Sequence, residues 1–380
     1  MSDTLCTRVW TDLYVTSPFN MAPCCRSWSV AANSIDEYWN HPNIQELRAD
    51  MLAGKKNKRC EFCYQREESG FSSLRLEAAH VDINAELAKT SPDGHHLVNL
   101  VSAEVRLSNL CNFKCRTCNG ASSFAIAVET DEKQPIKYAL NSRTQLVDEL
   151  KLHKDTMKVM RFSGGEPLMH QEHWDLLEYF IEQGRTDMVL GYNTNGSIVT
   201  FKNKSIFEIW KHFAGIEVTM SLDAAGIKGE YWRNGTVWPK VVDNIIEMIN
   251  NGVNVGIHIT VSWVNALSIL ELVSALDMLN IQMHSISFSP VMNVFMLQSA
   301  PAETKVLIAE HFNKISTTYP GLAPHSRMII DHMNKSPPNS TAFYEDIERI
   351  KKFDLLRRES FARIFPEHKH NMICIKPLWR

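Results

Sequence analysis

Val253-Asn254-Val255-Gly256-Ile257-His258-Ile259-Thr260-Val261-Ser262-Trp263 alternates without a break between apolar odd positions and polar or small even ones. A period of two marks an extended strand with one face in a core and the other against something polar. The same pattern recurs at 216–223, where Ile216, Val218, Met220 and Leu222 alternate with Glu217, Thr219, Ser221 and Asp223. It returns at 285–289, with Ile286 and Phe288 against Ser285, Ser287 and Ser289, and at 103–108, with Val105 and Leu107 against Glu104, Arg106 and Ser108. Parallel strands covered by helices on both sides are usually apolar on both faces. A polar second face fits a curved sheet with helices outside and a polar, occupied lumen. An antiparallel sheet with one solvated face would alternate in the same way, but the amphipathic segments between the strands favour the lumen.

The sequence predicts six strands, at about 102–108, 157–163, 188–193, 216–223, 253–262 and 284–290, separated by helical segments. The fold class is therefore α/β, with parallel strands and crossover helices over 101–292. Residues 1–75 read as a small, cysteine-rich, loop-rich unit with one helix, Ile44–Gly54, closed by glycine. Residues 76–100, with the turn signal Ser91-Pro92-Asp93-Gly94, read as a linker. Residues 293–380 read as a helical C-terminal region, with helices at Glu303–Thr318 and Ser340–Ile364 separated by Pro- and Asn-bearing turns.

The chain has 380 residues, 44% of them hydrophobic and 22% charged, which is enough apolar matter for a sizeable core and excludes a disordered chain. The formal net charge is −3, which argues against a protein that grips nucleic acid by neutralising phosphates. Two long stretches without charge, 248–270 and 278–302, are interrupted by asparagines, histidines and serines, so no membrane span is expected. The opening MSDTLCTRVW has no apolar signal-peptide core, and a cytoplasmic location is expected.

Nine cysteines in a reducing compartment are poor candidates for a disulfide framework. Cys6, Cys24, Cys25, Cys60 and Cys63 cluster early, Cys111, Cys115 and Cys118 follow, and Cys374 stands alone as a candidate buried thiol. Such clusters read as metal or iron–sulfur ligands. The run Cys111-Asn112-Phe113-Lys114-Cys115-Arg116-Thr117-Cys118 directly follows the first predicted barrel strand. Three close thiolates can hold three corners of a 4Fe-4S cube and leave one iron open for chemistry. A zinc knuckle completed by a distant ligand is the plain alternative. Phe162-Ser163-Gly164-Gly165-Glu166-Pro167 ends the second strand. Its glycines allow close approach of backbone to a ligand, and its carboxylate can pair with an ammonium group.

In these two motifs the sequence resembles the radical S-adenosylmethionine (SAM) superfamily, although Thr117 stands where the family commonly has an aromatic residue. The resemblance implies a partial (β/α)6 TIM-like barrel. It implies that Cys111, Cys115 and Cys118 hold a catalytic 4Fe-4S cluster whose open iron binds SAM. Gly164, Gly165, Glu166 and Pro167 would contact the methionine amino group, and Asn195, Ser221, Asp223 and Arg233 occupy further polar positions used around SAM. The N-terminal cysteines resemble a Twitch/SPASM unit, although in the family that unit usually follows the barrel. This implies a second, auxiliary 4Fe-4S cluster on Cys6, Cys24, Cys60 and Cys63, with Cys25 as the alternative to Cys24 and a structural zinc as the alternative occupant. The implied activity is reductive SAM cleavage and hydrogen abstraction from a peptide or protein side chain, or from a small molecule or carbohydrate. A reductant such as flavodoxin or ferredoxin is the implied partner. A non-catalytic zinc or iron–sulfur binding module is the alternative of another class.

Overall fold

The structure, a computed structural model, describes residues 4–17, 20–68, 72–78, 82–132, 136–142, 144–369 and 371, so Cys374 lies outside the described residues. The chain divides into two compact units. The first comprises Met1–Leu110, Gln134–Asn193 and Thr200–Ile216, and the second Cys111–Lys133, Thr194–Val199 and Glu217–Arg380.

The strands of the first unit are β1 (Asp12–Ser17), β2 (Asn20–Ala22), β3 (Val30–Ala31), β4 (Ser102–Arg106), β5 (Val159–Ser163) and β6 (Val189–Thr194). β4, β5 and β6 run parallel, with Val105 opposite Phe162 and Met160 opposite Leu190. The sequence reading missed β1, which pairs in parallel with β4 in the register Leu13 to Ala103 and Val15 to Val105. The antiparallel pairings of β1 with β2 and of β2 with β3 finish that edge. The N-terminal segment is thus part of the same sheet as the first predicted barrel strand.

Helix α1 (Pro42–Leu52) starts with proline at its first position, where a missing N–H costs nothing, and is followed by Gly54 at φ 70°. It buries Ile44, Leu47, Met51 and the whole of Arg48. Burial lowers the Arg48 guanidinium to about 10. Three carbonyls hold it: Val9 at 3.1 Å, Trp39 at 2.8 Å and Gly94 at 3.3 Å. Gly94 belongs to the segment 76–100. The predicted turn is present, with the Gly94 N–H on the Ser91 carbonyl at 2.8 Å, but the segment is packed into the unit. Its His96 is buried, with Nε2 2.9 Å from the Glu86 carboxylate, and its backbone binds Asn40. Helices α2 (Gln145–Leu152) and α3 (Gln171–Glu182) each bury one apolar stripe.

The second unit contains parallel strands β7 (Gly215–Ser221), β8 (Asn254–Val261) and β9 (Ile286–Pro290), registered with Ile257 opposite both Met220 and Ile286. The alternation read from sequence is physical. Val255, Ile257, Ile259 and Val261 are buried, while His258 and Thr260 are half-buried on the other face. Helices α4 (Trp238–Asn250) and α5 (Ile269–Met278) bury Val241, Ile245 and Met248, and Leu272, Val273 and Leu276. The C-terminal region forms α6 (Ala302–Thr318), α7 (Ala323–Asn334) and α8 (Ser340–Arg357). The sequence reading placed Pro- and Asn-bearing turns where α7 lies, but Pro324 sits in the first turn of that helix, where proline is tolerated. It also ran α8 on to Ile364. The helix stops at Arg358, whose left-handed φ of 56° breaks it before a last turn at Phe361–Ile364. Among the described residues no helix is long and apolar enough to cross a membrane.

Candidate active site

The three cysteines of the C-x3-C-x2-C run lie on one loop that begins immediately after Leu110. Cys111 and Cys118 are half-buried and Cys115 is buried. The Phe113 N–H points at the Cys111 sulfur at 3.4 Å. The loop is fastened to the segment 231–235 by two backbone hydrogen bonds. The Lys114 N–H donates to the Asn234 carbonyl at 2.7 Å, and the Arg116 N–H to the Trp232 carbonyl at 3.0 Å. Gly235, at φ 112°, is required here, because a Cβ would stand 2.7 Å from the Phe113 ring and 3.1 Å from the Asn112 carbonyl oxygen.

This pairing fixes Arg233 beside the cysteines. Its Nη1 meets Asp223 at 3.0 Å, and its buried Nε has no hydrogen-bond partner among the described residues. Asp223 is 1% exposed and also accepts from the Thr260 N–H at 2.9 Å, so the carboxylate is fixed from two directions. Burial pushes the Cys115 thiol up to about 11, against which the Arg233 cation works. Cys118 is likewise raised by burial, with Arg233 and Arg349 opposing. Thiols held up by burial but faced by a cation suit ligands that ionise when a metal arrives. The donor set therefore fits a cluster, and the orphaned Nε of Arg233 fits an anionic group brought to it.

Gly164 and Gly165 have φ of 74° and 57°. A Cβ on Gly165 would come 2.1 Å from the Leu110 carbonyl oxygen, so glycine is required by both backbone conformation and contact. The Glu166 N–H donates to that same carbonyl at 2.9 Å. The Glu166 side chain is fully buried and accepts from the Leu168 N–H at 3.3 Å, and Pro167 opens a single 3-10 turn.

Of the other residues singled out from sequence, Ser221 ends β7, half-buried, in register with His258. Asn195 is buried and its side chain is engaged. Its Oδ1 accepts from the Ser197 N–H at 2.9 Å, and its Nδ2 donates to Asn112 Oδ1 at 2.9 Å. Asn112 in turn donates to Ser197 at 2.9 Å. The geometry thus makes Asn195 a brace for the cysteine loop. Sequence reading also passed over Arg116, within the motif itself. It is completely buried, its guanidinium lies 3.7 Å from the centre of the Tyr231 ring, and it pairs with Asp354 at 2.9 Å and with Glu359. No local signal marks partners so far along the chain.

In the first unit, Cys6, Cys24, Cys60 and Cys63 line one pocket together with Arg8, Arg26, Arg59 and Arg75. Cys25 is exposed and is not among the lining residues. Burial is the main force raising the Cys6 and Cys24 thiols, and it pushes Cys60 up to about 12. The thiols add to this by mutual repulsion, Cys24 and Cys60 acting on Cys6, and Cys24 and Cys63 on Cys60. Among the described residues no three His, Cys, Asp or Glu side chains are grouped as a site for a metal ion. The pocket nevertheless brings four thiols and four guanidinium groups to one place, a donor set that fits an anionic thiolate cluster.

Residues 105–272 match the family model of the radical SAM superfamily. No match was found among curated proteins. Solved structures similar to this chain include anSMEcpe with bound AdoMet, at 15% identity and a TM-score of 0.45 over 60% of this chain and 63% of that one. They also include Streptococcus suis SuiB bound to S-adenosylmethionine, at 16% identity and a TM-score of 0.42 over 72% of this chain and 64% of that one. The chain spans about three fifths of the length of the anSMEcpe structures it matches. The match to the radical SAM superfamily thus covers under half of the chain, residues 105–272, and includes the cysteine loop after β4.

Proposed function

We propose that the protein is a radical SAM enzyme that acts on a peptide or protein side chain. When a reduced 4Fe-4S cluster and SAM are bound, they supply methionine and a 5′-deoxyadenosyl radical, which takes a hydrogen atom from the substrate. Cys111, Cys115 and Cys118 ligate that cluster. Glu166 accepts the ammonium group of SAM, and Gly164 and Gly165 keep that approach clear of side chains. Arg233, fixed by Asp223, offers its free Nε to the carboxylate. Ser221 and His258, on the polar face of β7 and β8, provide hydrogen-bonding groups for the ribose or the substrate amides. Cys6, Cys24, Cys60 and Cys63 ligate a second 4Fe-4S cluster, and the four arginines around them offset its negative charge. Flavodoxin or ferredoxin supplies the electron.

The observation that carries this reading is the backbone pairing of the cysteine loop with the segment bearing Arg233, which sets a half-buried cation with a buried, unpartnered Nε beside three thiols. The test is anoxic incubation of iron-loaded protein with dithionite and SAM. Release of 5′-deoxyadenosine and methionine is expected, slow without substrate and faster with it, and lost in Cys115→Ala. Iron-replete wild type that releases none with any reductant, and behaves like Cys115→Ala, would overturn the proposal.

A further inference from the structure

Helix α8 belongs to the C-terminal region, beyond the matched residues, yet it contacts the cysteine loop at three successive alternate residues. Arg349 donates from Nε to the Arg116 carbonyl at 3.1 Å and from Nη2 to the Cys118 carbonyl at 2.7 Å. Arg357 donates from Nη2 to the Lys114 carbonyl at 2.8 Å and pairs with Glu129 at 2.6 Å. Eight residues separate the two arginines, a little over two turns and about 12 Å, so both leave the same stripe of the helix. The loop returns the contact. Arg116 reaches the Ile350 carbonyl at 3.4 Å, and its partner Asp354 also accepts from Tyr231 at 2.6 Å.

The loop is therefore held on two sides. The N–H groups of Lys114 and Arg116 are taken by Asn234 and Trp232, and the carbonyls of Lys114, Arg116 and Cys118 by α8. A carbonyl bound to a guanidinium is not free to turn its negative end toward an anionic cluster. The two arginines differ in one respect. Arg357 pairs with Glu129, which also pairs with Lys114 at 2.7 Å, whereas Arg349 has no carboxylate at ion-pair distance among the described residues, with Asp346 and Glu132 as its acidic surroundings, and it lies directly on the Cys118 carbonyl.

We propose that α8 is a clamp that sets both the shape and the reduction potential of the cluster site. Arg349 and Arg357 are its positioning residues, and the charge of Arg349 favours the reduced, more negative cluster. This rests on the reading of Cys111, Cys115 and Cys118 as cluster ligands. Acquiring an electron beside a cation is easier than beside a neutral group.

The experiment is an anoxic redox titration, followed by electron paramagnetic resonance, of the signal that Cys115→Ala lacks. It is paired with hydrogen exchange of the amides of 111–118. Arg349→Gln should lower the midpoint potential, while Arg349→Lys, which keeps the charge, should stay near wild type. Arg357→Gln should lower the potential less, because Arg357 shares Glu129 with Lys114 and binds the Lys114 carbonyl rather than that of a ligand cysteine. Both Gln variants should speed exchange in the loop several-fold, while exchange in β8 stays as in wild type. Wild-type potential in Arg349→Gln, or equal shifts in Arg349→Gln and Arg349→Lys, would overturn the electrostatic role. Unchanged loop exchange in both Gln variants would overturn the clamp. Wild type with no iron signal that depends on Cys115 would instead overturn the functional reading, and this inference with it.

Discussion

Glu166 donates its backbone N–H to the carbonyl of Leu110 at 2.9 Å, and Leu110 is the residue that precedes Cys111. The turn that ends β5 is thereby tied to the end of the segment after β4 through one carbonyl, which Gly165 also approaches too closely to carry a side chain.

Gly165→Ala should therefore do more than strain a turn. A left-handed alanine costs roughly 1–3 kcal/mol, and the contact with Leu110 must also be relieved by moving backbone. Urea denaturation should show a loss at or above the top of that range. Gly184→Ala, with φ 66° and nothing within 4 Å, should show the conformational part alone. Equal losses in the two variants would mean that the Leu110 contact is harmless.

Glu166→Ala removes the acceptor proposed for the SAM ammonium group. Loss of a charge-assisted hydrogen bond is worth about 1.5–3 kcal/mol, or about tenfold and more in affinity. A SAM titration at constant cluster absorbance measures it. Affinity equal to wild type would remove Glu166 from the SAM site.

Protein reconstituted with two 4Fe-4S clusters should hold about eight irons, and the triple variant of Cys111, Cys115 and Cys118 to Ala about four. Cys24→Ala should lower the iron of that triple variant, because Cys24 lines the four-thiol pocket. Cys25→Ala should not, because Cys25 is exposed. Zinc in place of iron at the N-terminal thiols would dismiss the second cluster.

His173 is fully buried, bonded through Nε2 to the Tyr192 hydroxyl at 2.9 Å. Burial holds its imidazole down to about 3, and His170 adds to the effect. In the unfolded chain it takes up a proton near 6.5, so below that pH the unfolded state binds one proton more than the fold. Stability should fall as pH falls from about 6.5, at about 1.4 kcal/mol per pH unit from this group once well below that value. His173→Gln should flatten the slope by that amount in denaturation series at pH 6.5 and 5. An unchanged slope would show that His173 is not neutral in the fold.

The parts of the fold visible in sequence are those governed by short-range periodicity. All six predicted strands are present with ends shifted by up to two residues, because alternation such as Val255–Val261 reflects a buried face directly. β1 was invisible because it alternates poorly and its partner β4 is about ninety residues away, so only tertiary pairing makes it a strand. In the site, the cysteines, Gly164–Glu166, Asp223 and Arg233 could be read from motif and position. The bonds that hold them could not. Arg116 and Arg349 look like ordinary surface cations until distant segments meet, and Asn195 reads as a turn residue until Asn112 is beside it.

Cys6 precedes β1 and Cys24 follows β2, so the pocket thiols bracket the hairpin whose first strand covers one side of β4. A chain shortened to begin at residue 76 would uncover that side of β4 and invite edge-to-edge association. On the proposed reading, iron supply also becomes a matter of protein lifetime. A group that binds only the folded hairpin shifts the whole unit away from its unfolded form by mass action. In an iron-starved cell, copies without the N-terminal cluster would open this edge more often and reach proteases sooner.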